Sequence, residues 1–176
     1  ETTREHAFFV DVRGGVTNLA RVACGADDDP EALTLLANAG NEDLAVVTLR
    51  TQGAPFGLAT TVQLRRTKAA WRVLGVNVGL ASYRGRTASD YEALADGYVA
   101  QQRVVEAYLA LGIAEQLAAR GGSLKTQRSL EISKKLEAVA TSKQFQKHLG
   151  SWELGGVQYD VTGFSIAATK SDLSAV

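Results

Sequence analysis

The chain has 176 residues, 45% of them apolar and 22% charged, with 19 Lys and Arg set against 19 Asp and Glu. That size and mix suit one globular domain and exclude a disordered chain, and the zero net charge removes any overall pull toward nucleic acid or an anionic membrane. A single Cys excludes an internal disulfide or a cysteine-rich zinc cluster. The best apolar run, Leu109 to Ala114, falls far short of the roughly 20 residues a membrane helix needs.

The chain starts at Glu1 and contains no Met, so it reads as processed or trimmed and tips the compartment toward secreted or periplasmic. Residues 7–13 (AFFVDVR) alternate with period two, a strand signature, and Gly14-Gly15 can turn the chain. Residues 16–24 fit either a return strand or a short helix capped by Thr17. Asp29, Pro30 and Glu31 have the character of a helix start, with Leu33, Leu36 and Ala37 as its stripe and Gly40 as its end.

Residues 44–50, 58–66 and 71–80 are three strand-like runs whose short links fit an antiparallel meander. In the middle run Leu58, Thr60, Val62 and Leu64 oppose Ala59, Thr61, Gln63 and Arg65, so one side is apolar and the other wet. Gly75, Asn77 and Gly79 share one face of the third run, where missing side chains let another element approach or leave a pocket.

Ser89-Asp90-Tyr91-Glu92 has capping-box spacing, and a helical signal runs on to about Arg120 before Gly121-Gly122. Unbroken, that helix would extend for about 46 Å. Tyr91, Leu94, Tyr98, Gln101, Val105, Tyr108 and Gly112 recur in heptad-like steps, although Gly97 weakens the helix. Residues 124–149 read as a second helix with a break near Thr141-Ser142, and the Gly-Gly-Ser joint makes an antiparallel helical hairpin the natural pairing. Gly155-Gly156 between two short alternating runs is a further hairpin signal, and residues 170–176 read as a tail.

Charge is blocked along the chain. Residues 1–43 hold nine acids and three bases, whereas residues 44–89 hold seven bases and no acid. Arg65, Arg66, Lys68 and Arg72 crowd one hairpin end, where they could bind an anion or an acidic partner. This block lacks the aromatic interleaving of a nucleic-acid platform, which argues against that partner.

Catalytic patterns are sparse. His6 and His148 stand far apart, no metal-ligand spacing or P-loop occurs, and Asp27–Asp29 lacks the spaced ligands of a calcium loop. Cys24 paired with either His could act as a nucleophile, but a small buried thiol accounts for it better. No metal or cofactor is implied.

The expected architecture is a single α+β domain over residues 1–176. Its antiparallel sheet, from the three-stranded meander and terminal hairpins, would pack on a long helical hairpin. The expected function is a non-enzymatic interaction or assembly module. The long helix, with Tyr91, Tyr98 and Tyr108, would seek a second copy or another protein. Two alternatives stand beside it: a small-molecule binder or metal-free enzyme with a pocket at Gly75, Asn77 and Gly79, and anion binding by the Arg65–Arg72 cluster.

Overall fold

The computed structural model describes residues 2–12, 19–25, 32–38, 42–53, 55–68, 70–121, 124–168 and 173–175. Six strands come first: β1 (Thr2–Val12), β2 (Leu19–Cys24), β3 (Leu33–Asn38), β4 (Glu42–Thr51), β5 (Phe56–Arg66) and β6 (Trp71–Tyr83). The short β7 (Arg86–Thr87), helices α1 (Ala88–Ala100) and α2 (Val104–Ala118), and β8 (Leu124–Thr126) follow. Then come α3 (Gln127–Ala140), the single turn α4 (Lys143–Gln146), and strands β9 (Gly150–Leu154), β10 (Val157–Val161), β11 (Ile166–Ala168) and β12 (Leu173–Ala175). The class is α+β. The chain divides into two compact units, residues 1–87 with 116–130, and residues 88–115 with 131–176.

The first unit carries a five-stranded antiparallel sheet in the order β1-β4-β5-β6-β7. Its β5–β6 turn is closed by Thr67, whose backbone N–H and Oγ1 both donate to the Ala70 carbonyl at 2.8 Å. At the β6–β7 turn Arg84 and Gly85 both have positive φ (50° and 74°), as a tight two-residue hairpin requires. A second sheet runs β2-β3-β8, and Leu33 of β3 pairs with Thr126 of β8. The core of this unit gathers Cys24, Leu33, Val46 and Leu124, with Phe8 and Leu44 packed against them.

Two sequence expectations change here. The Gly14-Gly15 turn lies outside the described residues, but β1 and β2 do not form one hairpin ladder: β1 pairs with β4 and β2 with β3. The long β1 and β4 satisfy each other's backbone groups over nearly their whole lengths, which a six-residue partner could not. The helix expected over residues 29–40 is the strand β3 where described, its proposed capping residues lying outside the described set. Ladders with β2 and β8 on its two sides override a weak local helix signal.

In the second unit the rod expected from Ser89 to Arg120 is two helices. Gln102 takes a left-handed conformation (φ 60°). The Arg103 N–H donates to the Tyr98 carbonyl at 2.9 Å and the Gln102 N–H to the Val99 carbonyl at 3.0 Å. That is a Schellman ending, normally built on glycine, and it terminates α1 with a Gln at the strained position. Arg103 then starts α2: its carbonyl accepts from the Ala107 N–H at 3.0 Å, and its side chain reaches Glu106 at 3.1 Å while lying 4.6 Å over the Tyr98 ring. Gly97, the expected weak point, passes through α1 without interrupting it. Replacing Gln102 with Gly removes the left-handed penalty, so we expect a stability gain of about 1 kcal/mol by urea denaturation.

The second expected helix also divides. Residues 124–126 are β8, and helix begins only at Gln127. Thr126 Oγ1 accepts from the Ser129 N–H at 2.9 Å and Ser129 Oγ donates back to the Thr126 carbonyl at 2.8 Å, so Thr126 both ends the strand and caps α3. At the other end Ser142 caps α4 through the Phe145 N–H. In place of the expected two-helix hairpin, α1, α2, β8, α3 and α4 follow in succession.

Side chains of the second unit knit these pieces together. Lys135 on α3 contacts Glu92 at 2.8 Å and Asp96 at 3.2 Å on α1, and its hydrogen bond to Glu92 above all raises its pKa. Ser133 donates to Glu115. An aromatic chain runs from Tyr108 through Phe145 and Phe164 to Trp152. Trp152 lies at the centre of β9 in the β9–β10 hairpin, whose turn glycines Gly155 and Gly156 have φ of 62° and 78°. Residues 173–175, expected within a tail, pair as β12 with β11.

Candidate functional site

The register of the five-stranded sheet sorts its side chains into two faces. One face carries the rows Ala7/Val47/Val62/Val76, Phe9/Ala45/Leu64/Val73 and Arg4/Leu49/Thr60/Val78, each residue opposite the next across β1, β4, β5 and β6. The other carries His6/Thr48/Thr61/Asn77 and Thr3/Arg50/Ala59/Gly79. A bulge at Val73-Leu74, where the β5–β6 register shifts, keeps Val73 on the apolar side.

Burial does not follow hydropathy alone: the inner face holds the core residue Val46, with Phe8 opposite it, together with buried small and polar residues, and Ala45 on the outer face is buried as well. Ala59, Thr48 and Thr61 are buried, and the small inner row lets the chain after α2 come close. A Cβ added to Gly79 would lie 3.5 Å from the Ala119 carbonyl, and one added to Gly121 would lie 3.1 Å from Asn77. Outside, Val73, Val76 and Val78 are each 60% exposed and Phe9 is 76% exposed, with Leu58, Trp71 and Leu74 also open to solvent. Phe9 and Trp71 meet edge to face at 6.2 Å.

Polar groups rim this apolar field. Arg66 pairs with Asp43 at 3.4 Å at one end, and Thr2 and Thr51 hydroxyls meet at 3.0 Å at the other. Beyond the two residues of β6 that pair with β7, Ser82 and Tyr83, the far edge of β6 has no ladder partner among the described residues. An apolar centre with a polar rim is the anatomy of an interface.

The other candidate residues fall as follows. Arg65 and Arg72 stand directly opposite each other, Arg66 is opposite Trp71, and Lys68 lies exposed in the turn between. The four share one end of the β5–β6 hairpin, but on different faces. Asn77 and Gly79 meet the chain after α2, while nothing stands within 4 Å of a Cβ built on Gly75. Tyr91 is buried in α1, Tyr98 lies under Arg103, and Tyr108 packs 4.7 Å from Phe145 in α2. The tyrosine stripe is therefore split between two helices.

Cys24 sits among apolar side chains, and burial pushes its thiol pKa up, which disfavours the thiolate a nucleophile needs. Among the described residues no group of three or more His, Cys, Asp or Glu could hold a metal ion. Among those residues, too, no helix is long and apolar enough to cross a membrane. No family model, curated protein or solved structure matches the chain.

The sequence reading missed Phe9, Val73, Leu74, Val76 and Val78 as surface residues. Alternation reveals that β6 has an apolar and a small polar face, and the default assigns the apolar one to the core. The signal was Gly79 beside Asn77, where the sequence already allowed another element to approach and where the chain after α2 does so, while the space around Gly75 is open.

Proposed function

We propose that this protein is a self-association module, and that a second copy covers the outward apolar face of the five-stranded sheet. The sequence pattern placed the contact on a long helix. With that helix divided at Gln102, the sheet face takes its place. The observation that carries the reading is the inversion on β6, where Val76 and Val78 point to solvent while Asn77 and Gly79 point inward.

Magnitudes favour a second chain over a solvated surface. Seven side chains exposed to these extents present on the order of 600 Å² of apolar surface, at the top of the range for a monomer's largest patch. A standard interface takes about 800 Å² from each partner, which this patch and its rim can supply. At about 25 cal/mol per Å² the gross gain is roughly 15 kcal/mol per face, against an association cost of about 4–15 kcal/mol. The remainder, about 0–11 kcal/mol, brackets the roughly 8 kcal/mol of a micromolar complex, which is the affinity we expect.

The test is solution mass against concentration by sedimentation. The wild-type chain should grow beyond one-chain mass in the micromolar range. Val76→Asp should weaken association at least about tenfold while changing folding stability by less than about 0.5 kcal/mol, because the position is exposed in the single chain. A wild-type chain that holds single-chain mass throughout would overturn the reading.

A further inference from the structure

Strand β6 is open along its side as well as over its outer face. From Trp71 to Ala81 its outward backbone groups have no ladder partner among the described residues, and among those residues no turn, loop or cap hydrogen bond reaches this run. Strands whose edge must stay single are normally blunted by charge, proline or a bulge. The other outer strand of the same sheet is treated in that way: β1 includes Arg4, Glu5 and Asp11, and its register breaks between Arg4 and His6. In β6 the run from Val73 to Ala81 has no charged residue and no Pro, and its ladder with β5 is regular from Gly75 to Leu80.

We propose that β6 of one copy pairs antiparallel, edge to edge, with β6 of a second copy. Unpaired N–H and C=O groups in a row take an extended strand as their partner, and length and charge select which strand. Among the described strands only β1, β4, β5 and β6 exceed six residues. Strands β4 and β5 are paired on both sides and β1 is charged, so the element of this chain that matches the open edge is β6 itself. The match is isologous, as a closed dimer requires.

A two-fold axis through Val76 uses the whole run left free by β7. It sets Val76 against Val76 and Leu74 against Val78, aliphatic pairs of the kind that stabilise neighbouring strands. Gly75 then faces Asn77 of the second copy, and nothing stands within 4 Å of a Cβ built on Gly75, so the inner side has room. The two Arg72 side chains fall about eight residues apart along the ladder, roughly 26 Å, well beyond the screening length of about 8–10 Å. The basic hairpin ends therefore lie at opposite ends of the pair.

This contact goes beyond the face reading and does not depend on it, because ladder hydrogen bonds hold it. Val76 belongs to both contacts, so two other positions separate them. Gly75→Lys places a charge on the edge and leaves the outer face untouched; Gly75 has no positive φ, so the strand accepts a side chain there. Phe9→Asp places a charge on the outer face at β1, where Phe9 is 76% exposed. In sedimentation the wild type should reach a larger mass than either variant. Phe9→Asp should still form a two-chain species, and adding Gly75→Lys to it should weaken that species at least about tenfold.

If Gly75→Lys assembles like the wild type, or if Phe9→Asp alone is a single chain, the edge proposal fails while the face reading stands. If Phe9→Asp assembles like the wild type, the edge proposal stands and the face reading fails. A wild type that never associates overturns both. Should Gly75→Lys misfold by circular dichroism, hydrogen exchange of the wild-type chain at low and high concentration replaces it. The outward amides within residues 73–80 should slow at least about tenfold on association, and unchanged exchange there overturns the edge proposal.

Discussion

Replacing Arg120 with Ala should destabilise the fold by about 3 kcal/mol. Arg120 is 3% exposed, and its Nη1 donates to the Leu117 carbonyl at 3.0 Å and the Ala119 carbonyl at 3.2 Å. These carbonyls lie at and just beyond the end of α2, where the last groups have no intrahelical partner. Thr126 Oγ1 donates to the Ala118 carbonyl between them at 3.4 Å. Removing the guanidinium takes away charge-assisted bonds, worth about 1.5–3 kcal/mol, together with the packing of a buried stem.

Arg120→Lys should recover part of the loss, because the ammonium keeps the charge and can donate to carbonyls that both accept from Nη1, but it lacks the remaining guanidinium N–H groups and its planar packing. Urea denaturation of the three proteins measures the series. A loss below about 1 kcal/mol in Arg120→Ala would show that water satisfies this helix end unaided.

Truncating Ile132 to Ala should cost a comparable amount, about 3–4 kcal/mol, through the lost methylene and methyl contacts and the cavity left behind. Ile132 is fully buried in the second unit, where Ala107, Leu111 and Ala114 of α2 are also buried. Close-packed interiors relax only in part around such a deletion, so collapse around the cavity should be incomplete. At about 2–4 °C per kcal/mol for a chain of this size, the melting temperature should fall by roughly 10 °C. Ile132→Val should cost about 1 kcal/mol, and Lys134→Ala, on the exposed side of α3, should move it by less than about 0.5 kcal/mol. Equal effects at 132 and 134 would contradict the burial assigned to α3.

The mixed α+β class was legible because period-two and period-3.6 stretches occupy different parts of the chain. Local pattern also located strand character over residues 58–66 and 71–80. It could not reveal that β1 would join the sheet beside β4, since nothing in residues 2–12 specifies which distant ladder they will complete. Nor could it reveal the end of α1, because Gln102 adopts a backbone state that glycine ordinarily marks, while the actual glycine three residues before Ala100 stays helical.

The functional candidates were legible in unequal measure. Arg65 and Arg72 were singled out by charge and do face each other, but Arg120, Thr126 and Ser129 gave no warning. Their polar groups are needed only because two helix ends and a strand are buried together. In residues 58–66 the face expected to be wet holds the buried Ala59 and Thr61, while Leu58 on the apolar side is exposed. Hydropathy records that a face is apolar; which side is packed depends on how closely the neighbouring backbone must approach, and here Asn77 and Gly79 decide that.

Pairing of Leu33 with Thr126 also has a consequence for biosynthesis. Strand β3 leaves the ribosome long before β8, so the three-stranded sheet cannot close until both intervening helices have been made. Local hairpins such as the one turned by Thr67 can zip early, whereas this distant closure carries the larger chain-entropy cost and belongs to the late, slow part of folding. A nascent chain halted before Leu124 would hold an incomplete sheet, with the β8 side of β3 left without its ladder partner.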